Sequence, residues 1–561
     1  MKRRPPSVLP LILVCLMSPL FANVTGQARN QENHKSSGGT QPQTTPLRIN
    51  SRMVQVNVIV QDKNGQPVTG LKKDDFTIMD KGEPQSIAFM SEQTNRLLST
   101  GTAVAAQPPA NLYSNRFEEK YGVPTSVTVV LLDLLNTQFK DMAFARGQVV
   151  KFLRQIQPTD RVALYGLSDK LHILHDFTTD STALLHALER SQVSEPSIRA
   201  ASDPPPSDTG DAEVDAFINE ANARVAQTFM VNRVGMTSEA LIAIANHLAS
   251  LPGRKNLVWV SGSFPFRVGG DSVDHVNGPR TFNSEIEATA KALSNANLAI
   301  YPVDARGLLG PDIFAVLSGG SKQIPGSPPP GEFDTMVTLA DRTGGRPFYN
   351  TNDINGAIRR AIDDSRVTYV LGYYPTHNEW NGRFREIKVE VGRPGMQVRS
   401  RKGYFAFPDG PASNKEAELA LVEAAKSPLE STGLGLDVRV DPEENSNTRQ
   451  LKLAVRIEPS QVLLVKNGDR WKDDLDIKWV QVAADGHVLS SSSQTMNINL
   501  PQQAYEVFLS KGVTITREIT LLGDATELRL AARDGGNGAI GSVDIPLTRV
   551  FGQIKTVIKP Q

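Results

Sequence analysis

The stretch Val127–Thr137, VTVVLLDLLNT, is a continuous apolar run that stops at Asp133 and passes into small polar residues. A strand covered by helices on both faces loses the alternation of buried and exposed side chains, so this run predicts a buried parallel strand. In open α/β sheets ligands gather outside the carboxyl ends of the strands, which places Asp133 and Thr137 where a site is expected. Downstream, Met142, Ala145, Val149, Leu153 and Ile156 recur at helical spacing. Pro158-Thr159-Asp160 then stops the helix, and RVALYGL (161–167) opens a second apolar strand. The result is a βαβ unit. LHILHDF (171–177) follows a short turn and predicts an antiparallel hairpin partner, with a helix over 181–192 after it.

The same alternation continues outward. A helix is predicted over 213–231 and a second one from Thr237, with Leu241, Ile244, Ala245 and Leu248 on its core face. NLVWV (256–260) reads as another buried strand with Ser261-Gly262-Ser263 at its carboxyl end, and 298–303 repeats the arrangement with Asp304 at the tip. Helices over 333–343 and 352–365 flank a short strand at 346–349. Strands alternating with helices over this length argue for one parallel sheet. The segment 194–215 (with SDPPPSDTGD) and the Gly/Pro-rich 307–330 read as surface loops.

The flanks have another period. Val54, Val56, Val58 and Val60 alternate, and 76–79 with 85–90 reads as a hairpin, giving at most four strands between 53 and 93. That is too few to close a core. The runs 366–374, 384–391 and 397–404 look antiparallel, so the two groups are expected to share one sandwich, with the α/β domain inserted between its halves. Beyond a helix at 416–429, the runs 436–440, 451–457, 476–483, 495–500, 504–509, 513–521 and 527–533 predict a second sandwich. The expected division is 47–93 β unit, 94–123 linker, 124–365 α/β domain, 366–406 post-domain strands, 407–434 linker and helix, and 435–561 sandwich.

Residues 1–28 carry a basic start, a short apolar run and small residues at Gly26-Gln27-Ala28, the order of a cleaved secretory signal. Cleavage is expected before Arg29, or before Asn23, followed by a flexible spacer at 29–46. The apolar run is shorter than the roughly 20 residues that span a bilayer, so no membrane span is expected in the mature chain. The lone cysteine of the 561 residues, Cys15, lies in this segment, which excludes disulfides, a thiol nucleophile and thiolate-held zinc from the mature chain. With 60 basic and 60 acidic residues there is no bulk field to draw nucleic acid. The protein is expected in a periplasm, on a surface or in the medium.

Through DLLNT, QPTDRVALYGLSD, HDFTTDSTALLHAL, GMTSEALIAI, NLVWVSGSFP and LAIYPVDARG in that order, the chain resembles a von Willebrand factor type A (VWA) domain over about 124–376. LADRTGGRPFYNTNDINGAI and YVLGYYP make it similar, more narrowly, to the VWFA-related family of exported acidobacterial proteins. The resemblance implies a Rossmann-like VWA domain between β-sandwich domains, in a multidomain α/β plus all-β chain. It also implies a metal-ion-dependent adhesion site, D-x-S-x-S with a later Thr and Asp. Asp133 matches the first acid, Thr137 the second hydroxyl and Thr237 the loop threonine. Leu135 replaces the first serine, and Ser261 stands where the second aspartate belongs. With one carboxylate left, magnesium or manganese is expected to bind weakly or not at all. The alternative is that Asp133 caps local amides and Thr237 is the N-cap of its helix. Asp133, Thr137 and Thr237 are expected to converge near Ser261, with Asn136, Ser261, Ser263 and Asp304 forming the binding surface.

No Walker loop, G-x-S-x-G elbow, H-E-x-x-H or dinucleotide glycine fingerprint occurs. His172 and His175, at odd spacing on a strand, point to opposite faces. The expectation is a non-enzymatic exported protein that mediates protein–protein interaction or adhesion with an unnamed protein partner. Its rivals are a structural component of an envelope assembly that makes contacts through its β domains, and a hydrolase with an unrecognised site near Asp304 and 307–330.

Overall fold

The computed structural model describes residues 53–94, 109–116, 126–191, 207–251, 253–264, 267–268, 280–281, 283–308, 332–377, 379–406, 414–442 and 449–551. The leader at 1–28, the spacer at 29–46, the start of the 194–215 loop and most of the 307–330 loop lie outside the described residues.

Five strands form the central sheet: β1 (Ser126–Asp133), β2 (Val162–Leu167), β3 (Leu171–Thr178), β4 (Arg254–Ser261) and β5 (Leu298–Asp304). They are ordered β3-β2-β1-β4-β5. All neighbours are parallel except the β2–β3 hairpin, and Phe348 adds a parallel bridge beside Val303. The chain winds outward from β1 to β3 and then returns to β4 on the other side. The crevice between the carboxyl ends of β1 and β4 is therefore the topological switch point of a doubly wound sheet.

Both faces of the sheet are covered, which is why β1 shows no alternation. On one face Val129, Leu131, Leu257 and Trp259 pack against helices α3 (Ala212–His247), α4 (Asn283–Asn295) and α5 (Glu332–Thr343) through Leu241, Ile244, Leu293 and Leu339. On the other, Val130, Leu132, Val258 and Val260 meet α1 (Phe139–Leu153) and α6 (Ile354–Asp363) through Met142, Val149, Phe152 and Ile358. Helix α2 (Ser181–Arg190) adds Leu184 and Leu188, and Asp180 caps it by accepting from the Thr182 amide at 2.8 Å. Each large apolar side chain buried in this way contributes about 1.5–3 kcal/mol.

Two pairs of sheets flank this unit. Val54–Gln61 lies between Val367–Tyr373 and Gln397–Ser400, with Ile87–Thr94 beyond Val367–Tyr373. Phe76–Asp80 lies between Phe384–Val391 and Glu83–Gln85, and Val56, Ile78, Tyr369 and Ile387 share one core between the two sheets. Further along, Leu436–Pro442, Gln450–Ile457 and Val513–Thr520 face a sheet built on Arg470–Ala483, Val488–Pro501, Ala525–Asp534 and Ile540–Pro546.

Several expectations are corrected. Residues 504–509 are not a strand but the middle of a helix, Gln502–Lys511, which Gly512 ends at φ 71. Gln, Ala, Glu, Leu and Lys favour helix there, and the turn buries Phe508 while Tyr505 stacks on Trp471 at 3.9 Å between ring centroids. The run 397–404 is split between two sheets, Gln397–Ser400 and Gly403–Phe405. The presumed linker 94–123 contains a strand, Leu112–Ser114, on the edge of the C-terminal sheet. Asn115 fixes that strand by donating to the carbonyls of Ser431 and Leu434 and accepting from the Leu436 amide at 2.8 Å. The two helices expected around 213–248 are one helix, α3, with Thr237 inside it rather than at its start.

Candidate functional site

The site is the carboxyl end of β1 and the turn 134–137. The amides of Leu134 and Leu135 both donate to the Leu167 carbonyl, which bends the chain away from the sheet. Leu135 is fully buried in the core beneath Trp259 and Val129, so the position of the missing serine is filled by packing.

Asp133 is also fully buried. Its Oδ1 accepts from the Asn136 amide at 3.0 Å, and its Oδ2 accepts from Asn136 Nδ2 at 2.9 Å and from Trp259 Nε1 at 2.9 Å. Ser261 Oγ lies 2.8 Å from Oδ2 and 2.7 Å from the Ser263 carbonyl, so its single proton sits between two acceptors. Burial pushes the Asp133 carboxyl above its ordinary value, against the pull of Asn136, Ser261 and Trp259.

Thr137 Oγ1 donates to the Asp133 carbonyl and accepts from the Gly262 amide at 2.8 Å, tying the β1 turn to the β4 turn. A Cβ at Gly262 would stand 3.1 Å from Thr137 Cγ2 and 3.2 Å from its Cα, so the close approach of the two turns needs glycine.

Thr237 reaches the same point from α3. Its hydroxyl donates to the Arg233 carbonyl at 2.7 Å, one turn back in the helix, and accepts from Asn136 Nδ2 at 2.8 Å. One turn earlier, Arg233 is 5% exposed and donates from Nε at 3.2 Å and Nη2 at 2.9 Å to Asn136 Oδ1. The Asn136 amide thus bridges a buried guanidinium to a buried carboxylate. Sequence reasoning missed Arg233 because it split the helix there. The available signal was that Arg233 continues the buried face of Thr237, Leu241 and Ile244 at helical spacing.

Asp304 ends β5 opposite Ser261 in the parallel register. It is fully buried and accepts from Arg306 three times: from the amide at 3.0 Å and from Nε and Nη2 at 2.9 Å each. It therefore holds a turn and an ion pair. Ser263 is half-buried and contributes its carbonyl. His172 and His175 form only local contacts, to Asp169 Oδ1 at 3.0 Å and to the Asp176 carbonyl at 2.6 Å.

These residues do not fit a divalent cation. Magnesium and manganese need oxygen lone pairs turned toward an open position. The Asp133 oxygens instead face N–H and O–H donors, and the Thr137 and Thr237 hydroxyls are each committed as donor and acceptor. A cation already stands in the site, the Arg233 guanidinium. Among the described residues there is no group of three or more His, Cys, Asp or Glu side chains placed to hold a metal.

No protein family and no curated protein matches the chain. Among solved structures it is similar to an aerotolerance-related membrane protein from Bacteroides fragilis, at 14% identity over 43% of this chain and 98% of that one, with TM-score 0.24. It is similar also to the vWF domain of a type V pili tip protein from Porphyromonas gingivalis, at 12% identity over 44% and 96%, with TM-score 0.26. A third is proximal thread matrix protein 1 from the mussel byssus with a zinc-occupied MIDAS motif, at 7% identity over 44% and 47%, with TM-score 0.23. At these scores the likenesses carry no argument; strand order and register define the α/β unit.

Proposed function

We propose that the chain is an exported, non-enzymatic recognition protein whose VWA-like unit binds a protein partner at the carboxyl edge of its sheet without a metal ion. Its adhesion-type site is a degenerate one, and the flanking sheets act as β-sandwiches that orient it. The observation that carries the reading is an apolar surface beside the closed polar centre: Phe144 on α1 is 37% exposed and Leu308, past the end of β5, is 63% exposed. They adjoin, since a Cβ at Gly307 would stand 3.4 Å from the Phe144 ring, and the Leu308 amide is held by Asn352 Oδ1 at 2.8 Å. Apolar groups held exposed next to a strand-end crevice suit protein contact.

Two considerations support the absence of chemistry. Asp304 is neutralised by Arg306, and the Ser261 hydroxyl has no histidine base among its partners. Export rests on the pattern of residues 1–28; among the described residues no helix is long and apolar enough to cross a membrane.

The test is cross-linking capture in the native envelope fraction, comparing the natural chain with Phe144→Ser/Leu308→Ser, each with and without chelator. Loss of the principal adduct in the double variant, with an unchanged thermal midpoint and no effect of chelator, is the expected result. An adduct that survives the substitutions, or that chelator abolishes, would contradict the proposal.

A further inference from the structure

Helix α3 has two unlike halves. From Arg233 onward it packs in the core, whereas no residue of 212–231 is buried. Because α3 leads into the amino end of β4 and meets the carboxyl end of β1 through Arg233 and Thr237, residues 212–231 continue past the carboxyl edge of the sheet. At 1.5 Å per residue this is about 30 Å of helix.

Its start is well held. Asp211 caps it by accepting from the amides of Glu213 at 2.9 Å and Val214 at 3.3 Å, and Ser207 and Thr209 fold back onto Asn219 and Asp215. That contact covers the side of the helix bearing Asp215 and Asn219. It leaves open a stripe made by Val214, Phe217, Ile218, Ala221, Val225 and Phe229, which fall within about 120° at helical spacing. Val214 is 44%, Phe217 74% and Val225 54% exposed.

We propose that this stripe is the interface for a second copy of the chain, the two α3 projections pairing antiparallel about a two-fold axis near Ala221. The pattern is self-complementary. An axis there sets Val214 against Phe229 and Ile218 against Val225, and puts Ala221, small enough for close approach, against its own counterpart. On the flank it brings Glu220 of one copy to Arg224 of the other. Within one chain these two already pair at 2.6 Å with both side chains largely exposed, so the exchange is between equivalent partners. The charges on this segment are Glu213, Asp215 and Glu220 against Arg224, an acidic balance that opposes docking on an anionic membrane. The inference is independent of what binds beside Phe144 and Leu308.

Cysteine substitution tests it, because Cys15 is the sole native thiol and can be changed to serine in the full-length chain. Under mild oxidation Ala221→Cys should form a disulfide-linked dimer, and Ala223→Cys, on the opposite face, should not. Val214→Cys mixed with Phe229→Cys should cross-link to each other in preference to themselves. Light scattering should give a dimer that Phe217→Asp/Val225→Asp converts to monomer without lowering the thermal midpoint of the monomeric fold. A monomer at every accessible concentration would overturn the proposal; so would equal cross-linking at 221 and 223, or self-cross-linking at 214 and 229, which marks parallel pairing. A stripe covered by another segment of the same chain would give the first of these results.

Discussion

Replacing Asp133 by alanine is expected to destabilise the protein by about 3–5 kcal/mol, the range for removing one partner of a buried charged network. The substitution leaves Trp259 Nε1 and Asn136 Nδ2 without their acceptor in a site closed to water, each orphan costing about 1–3 kcal/mol. It also leaves the Arg233 guanidinium without the carboxylate to which Asn136 links it. Asp133→Asn should do little better, because an amide nitrogen on either side meets another donor. A carboxylate that only held a solvent-facing cation would cost far less to remove. Chemical unfolding of the natural and substituted chains measures the difference directly. The pH dependence has a definite sign: burial raises the folded-state value of Asp133, so the folded protein holds this proton to higher pH than the unfolded chain does. Its contribution therefore falls as pH rises from about 4 through the raised value, and Asp133→Ala should remove that component.

Lys255 should dominate the alkaline side. It lies at the start of β4, 3% exposed, and its Nζ donates to the Leu251 carbonyl at 2.7 Å. Burial lowers it from 10.5 to about 7. Below pH 7 the ammonium is charged in both states, and its burial costs of order 4 kcal/mol. Above pH 7 the folded protein releases the proton first while the unfolded chain keeps it to about 10.4, so stability should rise with pH across that interval. Lys255→Met is expected to stabilise the protein at pH 7 and below and to flatten the alkaline rise. Unfolding free energies at pH 6, 8 and 10 for both chains would show it; a natural chain that loses stability over this interval in step with the variant would refute the assignment.

Strong local patterns were legible in the sequence. The apolar run of β1, the hairpin of β2 and β3 and the apolar ends of β4 and β5 announce elements of the right kind, because a strand covered on both faces has no polar positions to spare. What failed were places where tertiary contact outweighs local signal. Gly235-Met236-Thr237-Ser238 looks like a break followed by an N-cap, yet nothing crowds Gly235 and the helix runs through, its hydroxyls turned inward to Asn136 and Thr289. Leu112–Ser114 is too short to show a period and exists as a strand only because Asp437–Arg439 offers an edge. In the site, the types and positions of Asp133, Thr137 and Ser261 could be read. The closing parts could not: Trp259 looks like any core aromatic, and nothing local says that Arg233 turns toward Asn136.

The central claim is that an internal guanidinium has replaced the metal ion at the carboxyl end of β1. The most direct measurement is the thermal midpoint of the purified protein in chelator and across a titration of magnesium, then manganese, to millimolar concentration. A ligand that binds only the folded state raises stability with the logarithm of its concentration, so occupancy cannot be silent. The expected result is a midpoint that does not move with either metal. A rise that grows with metal concentration and disappears in Asp133→Ala would contradict the account.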